Sequence, residues 1–180
     1  SNPHLLKTMV EDERRPWYKL CRKLVLERIT EDHDEIHLNK AFKAIWGQSL
    51  EPVIFEKIMS VSERHPYYVN YLCDVLCSMC GNTPSLLEID QAWNCVVEEE
   101  RSDLIKDFAS LSNNQKRLMI YIATHEGSAI YSAETAKITE MPTGSISRIL
   151  SSLIEKDYLE KVGENYRLIT PVYKKILSAS

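Results

Sequence analysis

"MPTGSISRILSSLIEKDYLEKVGENYRLI", residues 141–169, runs from an amphipathic helix into two short strand-like segments. Ile146, Ile149, Leu150, Leu153 and Ile154 recur at the spacing of one helical face, and Thr143 is the expected cap. "YLEKV" and "YRLI" then read as strands around a three-residue Gly-Glu-Asn turn. Upstream, "LSNNQKRLMIYIA" (111–123) predicts a helix of about 12 residues capped by Ser112, and "SAETAKITEM" (132–141) a shorter one. A last helix is expected over Pro171–Leu177. Three helices followed by a hairpin form the winged helix-turn-helix pattern, here residues 111–180.

Residues 30–110 read as a small helical bundle with a connecting helix. Thr30 caps the first helix, Glu31 and Asp32 favour the positive end of its dipole, and Gly47 stops it. Its apolar positions are Ile36, Leu38, Phe42, Ile45 and Trp46. A second helix from Pro52 to Ser62 buries Ile54, Phe55, Ile58 and Met59. A third runs from Pro66 to Met79 and ends at "CGNTP". A fourth starts near Ser85, carries Leu87, Trp93, Val96 and Val97, and passes the acidic run "EEERSD" toward Phe108. The fold class is therefore mainly α. Before the bundle, "NPHLLKTMVED" (2–12) has the spacing of a short helix, Pro16 breaks the pattern, and "RKLVLERI" (22–29) reads as a strand with no partner strand nearby.

Composition narrows the function classes. Hydrophobic residues make up 44% and charged ones 27%, the balance of a globular chain. No apolar run approaches the ~20 residues needed to span a bilayer, and the charged N-terminus lacks the apolar core of a signal peptide. No membrane association is expected. Five cysteines, three of them (Cys73, Cys77, Cys80) on one helix, cannot build a disulfide framework, which points to a reduced, cytoplasmic protein. These three read as the packed face of a helix; no second CxxC completes a zinc spacing, and no metal site is assigned.

Catalytic signatures are missing. There is no G-x-x-x-x-G-K-[ST] phosphate loop and no G-x-S-x-G elbow. "HDEIH" (33–37) has Asp34 where a zinc protease needs glutamate, so its histidines read as a solvated helix face. The chain alone is not a complete enzyme.

Charge is divided unevenly. Residues 1–110 carry 13 basic against 19 acidic side chains and residues 111–180 carry 9 against 7, so the C-terminal part is only mildly basic. Away from the apolar stripe of its third helix lie Ser145, Arg148, Ser152, Glu155 and Lys156, while the hairpin adds Lys161 and Arg167, offset by Glu160 and Glu164. Ser145, Arg148, Ser152, Lys156, Lys161 and Arg167 are the candidate nucleic-acid contacts. Their charge is thin for a strong DNA binder, which favours a protein partner, with DNA as the alternative.

Read in order, the segments resemble the C-terminal part of the archaeal-type P-loop ATPases of the STAND branch of AAA+. Arg15-Pro16-Trp17-Tyr18 resembles the Arg-Pro-aromatic-Tyr sequence after sensor 1, "RKLVLERIT" the last core strand, and "SERHPYYVNYLCDVL" the Gly-His-Pro-Tyr-Tyr start of a lid helix, with Arg64 in place of glycine. "LSNNQKRLMIYIA" and "SISRILSSLIEKDYLEKVGENYRLITPVYKKIL" resemble the family's winged helix and closing helix. The resemblance implies that residues 1–29 are the end of a nucleotide-binding core whose Walker motifs lie upstream, and that the edge strand at 22–29 is covered by the bundle or pairs in a homodimer. It further implies that the intact protein binds ATP with Mg through an upstream P-loop domain. Pro66 would meet the adenine, with His65 and Tyr67 beside it and Arg64 on the phosphate side. Residues 30–110 would be the lid. No nucleotide is expected on this chain by itself, since phosphates need the missing loop. The runner-up reading is a DNA-binding winged-helix regulator whose N-terminal bundle serves for dimerisation.

Overall fold

The computed structural model describes Arg14 and residues 27–178, without the side chains of residues 31–34. The expected helix at 2–12, the Arg15-Pro16-Trp17-Tyr18 segment and residues 22–26 of the expected strand lie outside the described residues. Among the described residues the protein is mainly α, with eight helices and one two-stranded antiparallel sheet. The chain divides into two compact units, one over Leu26–Asp107 and one containing Phe108–Ser180.

The first unit begins with residues 27–30 as irregular backbone, so the last residues of the expected strand are not strand. Helix α1 (Glu31–Trp46) follows Thr30 and ends at Gly47, whose φ of 71° is the left-handed conformation glycine adopts at least cost. Phe42 is its buried anchor, and the Phe42 and Trp46 rings sit 4.7 Å apart. Ile36 and Ile45, two of the recurring apolar positions, are 64% and 53% exposed. Helix α2 (Pro52–Val61) buries Ile54, Phe55, Ile58 and Met59, with Pro52 in the first turn, where a missing N–H costs nothing. Helix α3 (Pro66–Met79) places Tyr68, Val69, Leu72 and Leu76 in the core. Trp46 Nε1 donates to the Cys80 carbonyl at 3.1 Å and so fastens α1 to the end of α3.

Helix α4 (Leu86–Ala109) is 24 residues long and buries Ile89, Ala92, Trp93, Val96 and Val97. Its start is a reciprocal cap. The Ser85 N–H and hydroxyl both donate to Glu88 Oε2 at 2.7 Å, and the Glu88 N–H donates back to Ser85 Oγ. These bonds to Ser85 hold the Glu88 carboxyl below its usual range. Leu87, one of the apolar residues the helix carries, is exposed.

In the second unit, α5 (Asn113–His125) is the central element and packs against four of the five elements described below. Ser112 caps it with Gln115 in a full capping box. Leu118, Met119 and Ile122 are almost completely buried. Helix α6 (Ala133–Thr139) inserts two buried threonines, and Thr135 Oγ1 lies 2.8 Å from Tyr121 Oη and 3.0 Å from the Ala129 carbonyl. Helix α7 (Thr143–Glu155) buries Ile146, Leu150 and Leu153, whereas Ile149 is half-buried and Ile154 exposed. The N-cap position belongs to Pro142, not Thr143: proline fixes the chain direction and moves the helix start one residue on.

Strands β1 (Leu159–Val162) and β2 (Asn165–Leu168) pair antiparallel, with Leu159 opposite Leu168 and Val162 opposite Asn165. The turn is therefore two residues, Gly163-Glu164, and not three. Only Gly163 has positive φ (59°), which is the type II′ pattern that matches strand twist. Helix α8 (Pro171–Ser178) packs Val172, Tyr173, Ile176 and Leu177 back onto the unit. The loop after α5 is bonded to the hairpin, as the Tyr166 N–H donates to the Gly127 carbonyl at 3.2 Å.

Candidate functional site

The segment joining α2 to α3 turns on two consecutive left-handed residues, Glu63 (φ 48°) and Arg64 (φ 56°), neither of them glycine. The last carbonyls of α2 are met by the N–H groups of this turn. Glu63 donates to Ser60, Arg64 to Met59 at 2.9 Å and His65 to Ser62 at 3.0 Å. Ser62 is buried, and its hydroxyl donates to the Ile58 carbonyl at 2.7 Å. His65 then takes the N-cap position of α3 in extended conformation, as a residue before proline must, and Pro66 opens the helix.

The side chains of the corner spread in different directions. His65 meets the Tyr68 ring edge-on with centroids 5.1 Å apart, and Tyr68 in turn sits edge-on to Trp93 at 5.9 Å. Pro66 is half-buried, and Tyr67 is 54% exposed. Arg64 Nη2 lies 3.6 Å from Glu56 Oε2 on α2. Of the four residues singled out from the sequence, Tyr67 is exposed and Arg64, His65 and Pro66 are half-buried.

Three tyrosines of α3 are fastened to two glutamates of α4. Tyr67 and Tyr68 donate to the two oxygens of Glu100 at 3.1 and 2.6 Å, and Tyr71 donates to Glu99. Partial burial and then the Glu100 carboxylate raise the Tyr67 phenol above its ordinary value. The bond to Glu99 pushes Tyr71 up to about 12. Nothing in the sequence marked Glu99 and Glu100, since an acidic run on a long helix reads as a solvated face.

Two further residues reach the corner from the segment before α1. Arg28 Nη1 donates to the Glu63 carbonyl at 2.8 Å, and the Ile29 N–H donates to the Arg64 carbonyl at 2.9 Å. The stretch expected to end a strand is thus bonded to the His65–Pro66 corner. Its partners are 35 residues away in sequence, and local pattern carries no trace of them.

The cysteines of α3 do not form one packed face. Cys73 is half-buried, Cys77 is exposed, and Cys80, just past the helix end, is buried. Burial pushes the Cys73 thiol up to about 12. Among the described residues, no group of three His, Cys, Asp or Glu side chains is placed to hold a metal ion, and no helix is long and apolar enough to cross a membrane.

On the second unit the nucleic-acid candidates separate into two sets. Ser152 is half-buried and accepts from Gln115 Nε2 at 3.1 Å, so its hydroxyl links α7 to α5 and does not face outward as expected. Arg167 is held across the hairpin by Glu160, with Nε and Nη2 both 2.9 Å from the same oxygen. Ser145 is half-buried near the start of α7. Arg148, Lys156 and Lys161 are exposed, and no described acidic side chain lies within ion-pair distance of them. The cationic surface offered by this set is three side chains, smaller than the sequence suggests.

No protein-family model, no curated protein and no solved structure matches the chain.

Proposed function

We propose that the chain is the lid and winged-helix portion of an ATP-binding P-loop ATPase of the STAND branch of AAA+. Nucleotide state would bias the lid between closed and open positions, and the C-terminal unit would carry that difference to a protein partner. The reading of the C-terminal unit as a winged helix is supported by α5, α6 and α7 followed at once by the β1–β2 hairpin, with the Gly127–Tyr166 backbone bond joining the loop after α5 to the hairpin.

The observation that carries the proposal is the left-handed backbone at Arg64 immediately before His65-Pro66. The resembled family has glycine there, and a φ of 56° is the conformation for which glycine is the natural residue. The bond from Ile29 to Arg64 adds support, because it ties this corner to the chain leaving the expected core strand. ATP with Mg would be held by an upstream P-loop domain, since the sequence has no phosphate loop of its own. What these residues supply is the adenine side: the half-buried Pro66 ring and the exposed Tyr67 ring, with His65 locked against Tyr68 behind them.

The test is to read the coding sequence upstream and to titrate the longer protein with a fluorescent ATP analogue. A GxxxxGK[ST] and binding weakened about tenfold by Pro66→Ala or Tyr67→Ala is the expected result. Binding that neither substitution changes would remove the corner from the nucleotide site. A second reading, DNA binding through the winged helix, is favoured by one observation: Arg148, Lys156 and Lys161 are exposed and clear of described carboxylates.

A further inference from the structure

Two adjacent non-glycine residues in the left-handed region are held there against an intrinsic cost, so something must hold them. The bonds from α2 meet the N–H groups of the turn, but the Glu63 and Arg64 carbonyls point the other way and need donors of their own. The Arg64 carbonyl takes the Ile29 N–H. The Glu63 carbonyl takes Arg28 Nη1 at 2.8 Å, and the same nitrogen lies 3.7 Å from the Glu63 carboxylate. The side chains are 14% and 17% exposed, so this charge-assisted bond is shielded from water. One guanidinium thus hydrogen-bonds the backbone of the first left-handed residue and lies at ion-pair distance from its carboxylate.

We infer that Arg28 is the positioning residue of the His65–Pro66 corner: its guanidinium fixes the left-handed step at Glu63 and Arg64, and the step aims His65, Pro66 and Tyr67. That the corner meets a nucleotide rests on the function proposed above; that Arg28 shapes the corner does not. A neutral side chain of similar length leaves the Glu63 carbonyl without its charged donor, and the step relaxes. Glycine at position 64 removes the steric reason to relax and restores the corner without Arg28.

Amide hydrogen exchange on the chain without nucleotide tests this, with Arg28→Met, Arg28→Lys and the double variant Arg28→Met/Arg64→Gly. In Arg28→Met the Ile29, Arg64 and His65 amides exchange at least about tenfold faster, while Leu72 and Leu76 in the core of α3 are unchanged. The His65 ring proton signals shift as its edge contact with Tyr68 is lost. Arg28→Lys, which keeps the charge but not the fork, gives a smaller change of the same kind. The double variant returns the Arg64 and His65 amides to within about twofold of the parent. Unchanged corner amides in Arg28→Met overturn the inference. So does acceleration that reaches Leu72 and Leu76 equally and that glycine does not reverse, because Arg28 is then a general stabiliser. Should Arg28→Met fail to fold, Arg28→Lys is read at the same amides against the same two outcomes. Failure of the unsubstituted longer protein to bind nucleotide would count against the proposed function and leave this result standing.

Discussion

Gly127 is the one glycine of the five at which an added Cβ would meet other atoms. Its φ is +63°, and a Cβ there would fall 1.8 Å from the Tyr166 carbonyl oxygen. The obstacle is backbone of β2, which cannot swing aside like a side chain. Gly127→Ala is expected to destabilise the unit by about 3 kcal/mol, seen as a lower urea midpoint with little change in slope. Gly163, also at positive φ, has open space around it, so alanine there suffers only the backbone strain. On α3, Tyr71 gives a pH signature. Its folded pKa of about 12 lies above the ordinary phenol value, so its contribution to stability is full below pH ~10 and lost as pH rises through 12. Glu99→Gln removes the carboxylate, and absorbance titration at the phenolate band should then show one tyrosine ionising earlier. A parent and variant with superimposable titrations would contradict the Tyr71–Glu99 bond.

At the scale of the element, the capping box of α5 is the clearest local signal that also acts over distance. Ser112→Ala leaves the Gln115 N–H without its acceptor and should cost about 1 kcal/mol in chemical denaturation. Gln115 does more, since it also donates to Ser152 on α7, so Gln115→Ala should cost more than Ser112→Ala. The comparison of the two variants separates cap from tertiary link. Elements bounded by proline were legible from the sequence: α3 runs from Pro66 to Met79 as expected. Where apolar spacing alone was used, the edges blurred. Ile36, Ile45, Leu87 and Ile154 have helical spacing yet are exposed, because periodicity says which residues share a face and not how wide the covering neighbour is. The corner was legible only as a motif. His65-Pro66 stands out in sequence, but Arg28, Glu99 and Glu100 reach it from 28 to 35 residues away. Such pairings are set by tertiary packing, which no local window contains.

Over the whole sequence, the acidic excess falls within residues 1–110 and the mild basic excess within 111–180. Three exposed cations at α7, its C-cap and the hairpin set what this face of the second unit can do with nucleic acid. If Arg148, Lys156 and Lys161 each neutralise one phosphate, the log–log slope of duplex DNA binding against salt is about −3, and Arg148→Ala lowers its magnitude by about 1. No binding at low salt removes the DNA reading and leaves a protein partner as the target of the unit. Arg167 is the control, since its charge is already spent on Glu160 and its removal should leave the slope unchanged.

The burial of the cysteines has a practical consequence. Cys73 is sheltered and its thiol is pushed up to about 12, so at neutral pH it carries almost no reactive thiolate. Cys77 and Cys95 are exposed. Among these described cysteines, a maleimide dye should therefore tag Cys77 and Cys95 on the outer surfaces of α3 and α4 before Cys73.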